Sequence, residues 1–138
     1  MKKILLYAVL QLVSLAKTRG QDLIFWTSRK AVNDSFAYYG WKIFEVNTVN
    51  GRLYELYKKS DNQVRGILYN NNELVFKYIY FYDSNSYDST RRTLDVQKNK
   101  LDDLNWQEPG TPVFIKMDTS KISEGIFTLT YYVDAKDN

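Results

Sequence analysis

The stretch WKIFEVNTVNGRLYELYKKSDNQVRGILYNNNELVFKYIYFYD (residues 41–83) decides the fold. Four runs rich in β-branched and aromatic residues alternate with short polar clusters. The first break is Val49-Asn50-Gly51, and its Asn-Gly pair favours a two-residue hairpin. "SDNQ" (residues 60–63) makes the second break and Asn70–Asn72 the third. Four strands joined by short loops read as an antiparallel meander. The fourth run packs five rings into the eight residues Phe76–Asp83. Simple alternation puts Leu74, Phe76, Tyr78, Tyr80 and Tyr82 on one face, and Val75, Lys77, Ile79 and Phe81 on the other. A strand apolar on both faces belongs in the middle of a sheet.

Helical patterns flank this block. In "TSRKAVNDSFAYYG" (residues 27–40), Ala31, Val32, Ser35, Phe36 and Tyr39 recur on one side. Thr27 or Ser28 is the expected N-cap, and Gly40 stands where a helix should stop. "DLIFW" (residues 22–26) reads as a short strand or as a staple onto that helix. Beyond the meander, residues 83–106 read as one long helix capped by Asp88 or Ser89. Its stripe is Leu94, Gln97, Leu101 and Leu104, with Trp106 at its end, and its outer face is charged. "EPG" (residues 108–110) breaks the pattern. Two alternating runs, Pro112–Asp118 and Ile126–Val133, give a final strand pair, and the "DAKDN" tail (residues 134–138) should fray.

The expected fold class is therefore α+β: one antiparallel sheet, a four-stranded meander plus a C-terminal strand pair, packed with two helices. Trp41, Phe76, Tyr78, Ile79, Phe81, Leu101 and Phe127 form its expected core. No period of about 20–50 residues repeats.

Residues 1–20 are a different kind of sequence. A short basic start, Met1-Lys2-Lys3, precedes a thirteen-residue apolar run from Ile4 to Ala16, interrupted by Gln11 and Ser14. A membrane span needs about 18–20 apolar residues, so the run is too short to cross but fits a secretory signal peptide. Cleavage is expected after Ala16 or after Gly20. The alternative is a buried N-terminal helix. The expected domains are a signal peptide at 1–20 and a single α+β domain at 21–138, placed in the periplasm or secreted. The only expected membrane association is through the signal peptide.

The charge argument follows from this division. The chain carries a formal +3. Residues 1–20 hold Lys2, Lys3, Lys17 and Arg19 and no acid, so the rest has 15 bases against 16 acids, a formal −1. Positive charge clusters in nothing larger than pairs, such as Lys58-Lys59 and Arg91-Arg92. The electrostatic footprint of a nucleic-acid-binding protein is not there.

The chain has no cysteine and no histidine. Disulfides, cysteine-linked lipids, His- or Cys-based metal sites and Ser–His or Cys–His catalysis are excluded by composition. The loop Asp83–Asp88 has the opening spacing of a calcium loop, but it lacks the sixth-position Gly, and Leu94 stands where the bidentate Glu belongs. Asp102 and Asp103, adjacent on a helix, do not converge as a catalytic pair. Asn33-Asp34-Ser35 is a glycosylation triplet inside the expected first helix. No catalytic residue, metal site or cofactor is expected.

Several segments resemble small exported proteins of unknown function from Bacteroidota. The N-terminus "MKKILL…TRGQD", the helix end Gly40-Trp41-Lys42, the aromatic meander, the helix end Leu104-Asn105-Trp106 and the final strand pair carry the resemblance. It implies export and supplies no activity.

The functional expectation is a binding or accessory module of the cell envelope without catalytic activity. It would hold a protein, peptide or glycan partner on a sheet face or edge. The alternative is a small bacteriophage virion or assembly subunit that retains its N-terminal segment as a helix. Aromatic residues make up 16% of the chain, more than two helices of this size can cover. The expected accessible rings are Tyr54, Tyr57, Tyr69, Tyr80, Tyr82 and Tyr132.

Overall fold

The structure, a computed structural model, describes residues 25–133. The expected signal segment with both its cleavage sites, and the "DAKDN" tail, lie outside the described residues. The order of elements is α1 (Arg29–Tyr38), β1 (Lys42–Val49), β2 (Arg52–Ser60), β3 (Gln63–Tyr69), β4 (Val75–Asp83), α2 (Tyr87–Gln97), β5 (Asn99–Asp102), β6 (Asn105–Gln107), β7 (Val113–Asp118) and β8 (Ile126–Val133). All eight strands join one antiparallel sheet in the order β1-β2-β3-β4-β8-β7-β6-β5. The class is α+β and mostly sheet.

Both caps of α1 follow from local chemistry. The Ser28 hydroxyl accepts from the Ala31 amide at 3.2 Å. At the other end Gly40 turns left-handed (φ 85°). Its amide donates to the Ala37 carbonyl and the Trp41 amide to the Phe36 carbonyl. The rings of Phe36 and Trp41 then meet edge to face at 5.5 Å, the apolar contact that accompanies this kind of helix stop. Ser28→Ala is expected to cost about 1 kcal/mol, read as a lower denaturation midpoint with unchanged m-value.

The meander forms as its turns dictate. Asn50 (φ 52°) and Gly51 (φ 77°) are both left-handed, the backbone of a tight two-residue hairpin. Asn70 closes the third loop by accepting from the amides of Asn72 and Leu74 through its Oδ1, a side-chain mimic of a backbone turn.

The expected long second helix is corrected. It starts at Tyr87, one residue before the expected cap, and ends at Gln97, and residues 99–107 fold back as the hairpin β5–β6. Asp102 makes the turn by accepting from the Leu104 amide and the Asn105 side chain. Asx chemistry at Asp102 thus overrides the helical spacing of Leu101 and Leu104. Leu101 is 54% exposed, so it is not core, and Leu104-Asn105-Trp106 leads into β6 instead of ending a helix. Trp106 is fully buried and its Nε1 donates to Asp95 of α2 at 2.9 Å. Lys98 reaches Glu108 at 2.6 Å beneath the same hairpin.

One row of directly opposed residues crosses the whole sheet: Val46, Glu55, Ile67, Tyr78, Tyr131, Ile115, Trp106 and Lys100. Opposed residues share a face. Phe36 of α1 stacks on Tyr57 at 4.4 Å, and Tyr87 of α2 meets Phe127 edge to face at 5.6 Å. Both helices therefore cover this one face, and the core lies between them and the sheet.

A repeat appears in the topology. Each helix precedes four consecutive antiparallel strands, and the palindromic order is what a two-fold axis normal to the sheet between β4 and β8 produces. The units are offset by 58 residues at their helix starts (Arg29 and Tyr87) and by 51 at their last strands (Val75 and Ile126). That spacing exceeds the periods of about 20–50 residues that mark repeat arrays.

The carboxylate of Glu55 is fully buried on the helix face. Arg29 of α1 reaches it at 3.0 Å and also contacts Glu73 at 3.3 Å. The Tyr57 hydroxyl donates to Glu55 at 3.1 Å and also contacts Asn33 of α1. This network ties α1 to β2, and a buried charge needs such partners.

Candidate binding surfaces

Strand β1 is the first candidate. Among the described residues it lies at the sheet edge and pairs only with β2. Every residue from Lys42 to Val49 is exposed, including Ile43 (42%), Phe44 (51%), Val46 (49%) and Val49 (43%). Tyr38 and Tyr39, at the end of α1 just before it, are exposed too. The outer backbone of a free edge offers unpaired N–H and C=O groups, and folded proteins normally blunt such an edge with charge, brevity or a cover. The opposite edge is blunted: β5 is four residues long and carries Lys100 and Asp102. On β1, Lys42 and Glu45 are the only charges on an eight-residue edge.

The second candidate is the sheet face away from both helices. A row of opposed residues there runs through Tyr54, Leu68, Lys77, Tyr132 and Phe114, and the next contains Leu56, Gly66, Ile79 and Thr130. Apart from the buried Gly66, these residues are half-buried. Tyr132 and Phe114 stack at 5.7 Å. Tyr54 lies flat across Gly66, where an added Cβ would stand 2.5 Å from the tyrosine hydroxyl. The glycine is needed for this close approach, since a side chain there would lift the ring.

A β-bulge changes the expected alternation in β4. The register shifts between Leu68–Lys77 and Tyr69–Val75. Val75 therefore turns to the helix face, while the Phe76 ring lies under Arg52 (4.8 Å) and Lys77 (5.9 Å) on the other side. Phe76, Tyr78 and Phe127 are buried as expected, whereas Trp41, Ile79 and Phe81 are half-buried.

The six nominated tyrosines do not form one surface. Tyr54 and Tyr132 sit on the helix-free face, half-exposed. Tyr80 and Tyr82 sit half-buried on the helix face. Tyr57 (1% exposed) and Tyr69 (0%) are core, with their hydroxyls 3.5 Å apart, so the expectation of accessible rings fails for these two. Their strands lie under α1, and buried polar partners satisfy the phenols that the sequence suggested would stay wet. What the sequence argument missed is β1. Its apolar residues resemble those of a central strand, and its edge position is set by pairing elsewhere in the chain.

Burial acts on the phenols directly. It pushes the Tyr54 and Tyr80 hydroxyls up to about 12 from an ordinary 10.0. It raises those of Tyr57, Tyr69, Tyr82 and Tyr131 as well. The unfolded chain releases these protons near pH 10 and the folded chain only at higher pH, so the unfolded state binds fewer protons in that window. Stability is therefore full below about pH 10 and falls as pH rises towards about 12. Denaturant titrations at stepped alkaline pH, with phenolate absorbance followed in parallel, are expected to show ionisation and unfolding as one coupled transition. Ionisation of all tyrosines near pH 10 in a chain that stays folded would contradict it.

Among the described residues no group of three or more acidic side chains converges in a way that would hold a metal ion. In the Asp83–Asp88 loop the Asp83 carboxylate accepts from the Asn85 amide at 2.8 Å. None of the described helices is long and apolar enough to cross a membrane. No protein-family model matches the chain, and no curated protein or solved structure matches it significantly.

Proposed function

We propose that this protein is an exported binding module of the cell envelope that takes a protein partner by strand addition at β1. The observation that carries the reading is β1 itself: eight exposed residues on an edge that no other described strand covers, four of them apolar. An added strand would satisfy the outer backbone groups and cover Phe44 and Val46 together, with affinity from main-chain hydrogen bonds and specificity from alternate side chains. Tyr38 and Tyr39 adjoin the edge as aromatic anchors of the kind that dominate binding energy. Export rests on residues 1–20 and on the resemblance to exported Bacteroidota proteins.

Two experiments test this reading. Intact-mass measurement of the natural protein is expected to give a mature N-terminus after Ala16 or Gly20; a retained Met1 would favour the virion-subunit alternative. Affinity capture from the producing cells is expected to yield a partner with the wild-type chain and to lose it with Val46→Lys. That substitution lies on an exposed edge and should change stability by no more than about 0.5 kcal/mol. Equal capture by both proteins would remove β1 as the site.

A further inference from the structure

The helix-free face departs from the usual pattern of an open antiparallel sheet, whose outward positions are polar. On the inner strands Tyr54, Leu56, Leu68, Ile79, Phe114 and Tyr132 all point outward. Each is half-buried, and both helices lie on the opposite side of the sheet. The rings lie along the face: Tyr54 crosses Gly66, and Phe114 stacks on Tyr132 at 5.7 Å. A contiguous apolar surface of this kind marks a place where a partner sits.

The charges on this face are sorted by sign. Arg52 stands 4.8 Å and Lys77 5.9 Å from the Phe76 ring centre, and Lys77 is also 5.9 Å from that of Tyr132. Lys116, exposed, continues the row of Ile79 and Thr130. Lys77 makes no ion pair among the described residues. The acids stand at the rim: Glu45 on the edge strand β1, and Asp83 and Asp118 at the ends of β4 and β7. Each accepts a local hydrogen bond, Glu45 from the Asn47 side chain at 2.7 Å, and Asp83 and Asp118 from the amides of Asn85 and Ser120, both at 2.8 Å. The middle of the face is therefore positive.

We propose that this face binds an acidic segment of a partner polypeptide, with Lys77 and Lys116 meeting its carboxylates and Tyr54, Phe114 and Tyr132 packing against its apolar side chains. Opposite charge selects such a segment and speeds the encounter, and the rings supply the contact energy. A second copy of this chain does not fit as the occupant, because face-to-face packing would oppose the positive centre to itself. A lipid surface is entered by protruding apolar side chains, whereas these rings lie along the sheet. A nucleic acid is held by many phosphate contacts, and the cations here are few. The proposal goes beyond strand addition, since the helix-free face and the outer backbone of β1 are different surfaces.

A glutamate-rich Glu–Tyr copolymer is the probe, with a Lys–Tyr copolymer as the same ring on the opposite charge. In spectra of the isotope-labelled chain, the Glu–Tyr copolymer is expected to move the amide signals of Tyr54, Lys77, Phe114 and Tyr132 saturably, and the Lys–Tyr copolymer to leave them in place. Lys77→Glu turns attraction into repulsion at the centre and is expected to weaken binding at least about tenfold. Should that variant fold poorly, Lys116→Glu changes an exposed side chain and is expected to weaken binding about threefold. Val46→Lys is expected to bind as the wild type does; loss there would move the copolymer to β1 and overturn this assignment alone. The proposal is also overturned if the Glu–Tyr copolymer moves none of the four signals, or if they move with protein concentration alone. The same holds if the Lys–Tyr copolymer, phosphatidylglycerol vesicles or a single-stranded oligonucleotide moves them as readily, or if Lys116→Glu and a folded Lys77→Glu bind as the wild type does.

Discussion

Trp106→Ala is expected to lower the unfolding free energy by about 3–5 kcal/mol. Trp106 is fully buried and lies on β6, a strand of only three residues. It joins three elements. Its ring packs in the core row beside Ile115, its Nε1 bonds Asp95 of α2, and its backbone pairs with β5 and β7. The alanine leaves a cavity that so short a strand cannot close, and it orphans the Asp95 contact. Leu101→Ala, five residues earlier, is expected to change stability by no more than about 0.5 kcal/mol, because that side chain is exposed. Urea denaturation of the two variants distinguishes a hairpin from a continued helix at residues 98–107. A costly Leu101→Ala beside a mild Trp106→Ala would mean that the helix runs on.

Arg29→Ala is expected to cost about 3–5 kcal/mol, as breaking a buried ion pair from one side does. The whole of the Glu55 side chain is inaccessible, while Arg29 is one-third exposed. Removing the arginine thus strands the carboxylate with neutral phenol hydroxyls, those of Tyr57 and Tyr69, and no cation. Pairing Arg29→Ala with Glu55→Gln removes the stranded charge and is expected to recover part of the loss. A double-mutant cycle measures that coupling. A single-variant cost below about 1 kcal/mol would show that α1 is held by Val32 and Phe36 packing alone.

The legible parts of the fold are those specified by short-range chemistry. Asn50-Gly51 marks a hairpin because few residue pairs tolerate two left-handed positions in succession. Ser28 and Gly40 mark the ends of α1 because each satisfies orphan backbone groups by itself. Less legible was any feature decided by a partner far along the chain. Leu94, Gln97, Leu101 and Leu104 keep helical spacing, yet burying Trp106 against Asp95 and closing the Asp102 turn outweigh it. The bulge at Phe76 depends on the register with β3, so alternation within β4 misassigned both Val75 and Phe76. Tyr57 and Tyr69 look like surface rings until Asn33, distant in sequence, is seen to meet the Tyr57 hydroxyl beside the buried Glu55. The surfaces proposed for binding were the least legible. The exposure of β1 comes from the strand order β1-β2-β3-β4-β8-β7-β6-β5, and no local segment encodes that order.

Photo-crosslinking in the producing cells tests strand addition at β1 most directly. A photoreactive residue at Val46 would face whatever covers the edge. The same residue at Val96, 85% exposed on α2, controls for exposure alone. The expected result is a discrete adduct from Val46, lost when Phe44→Glu is added, and no adduct from Val96. No adduct from Val46, or the same adduct from both positions, would contradict the assignment of β1 as the partner-binding edge.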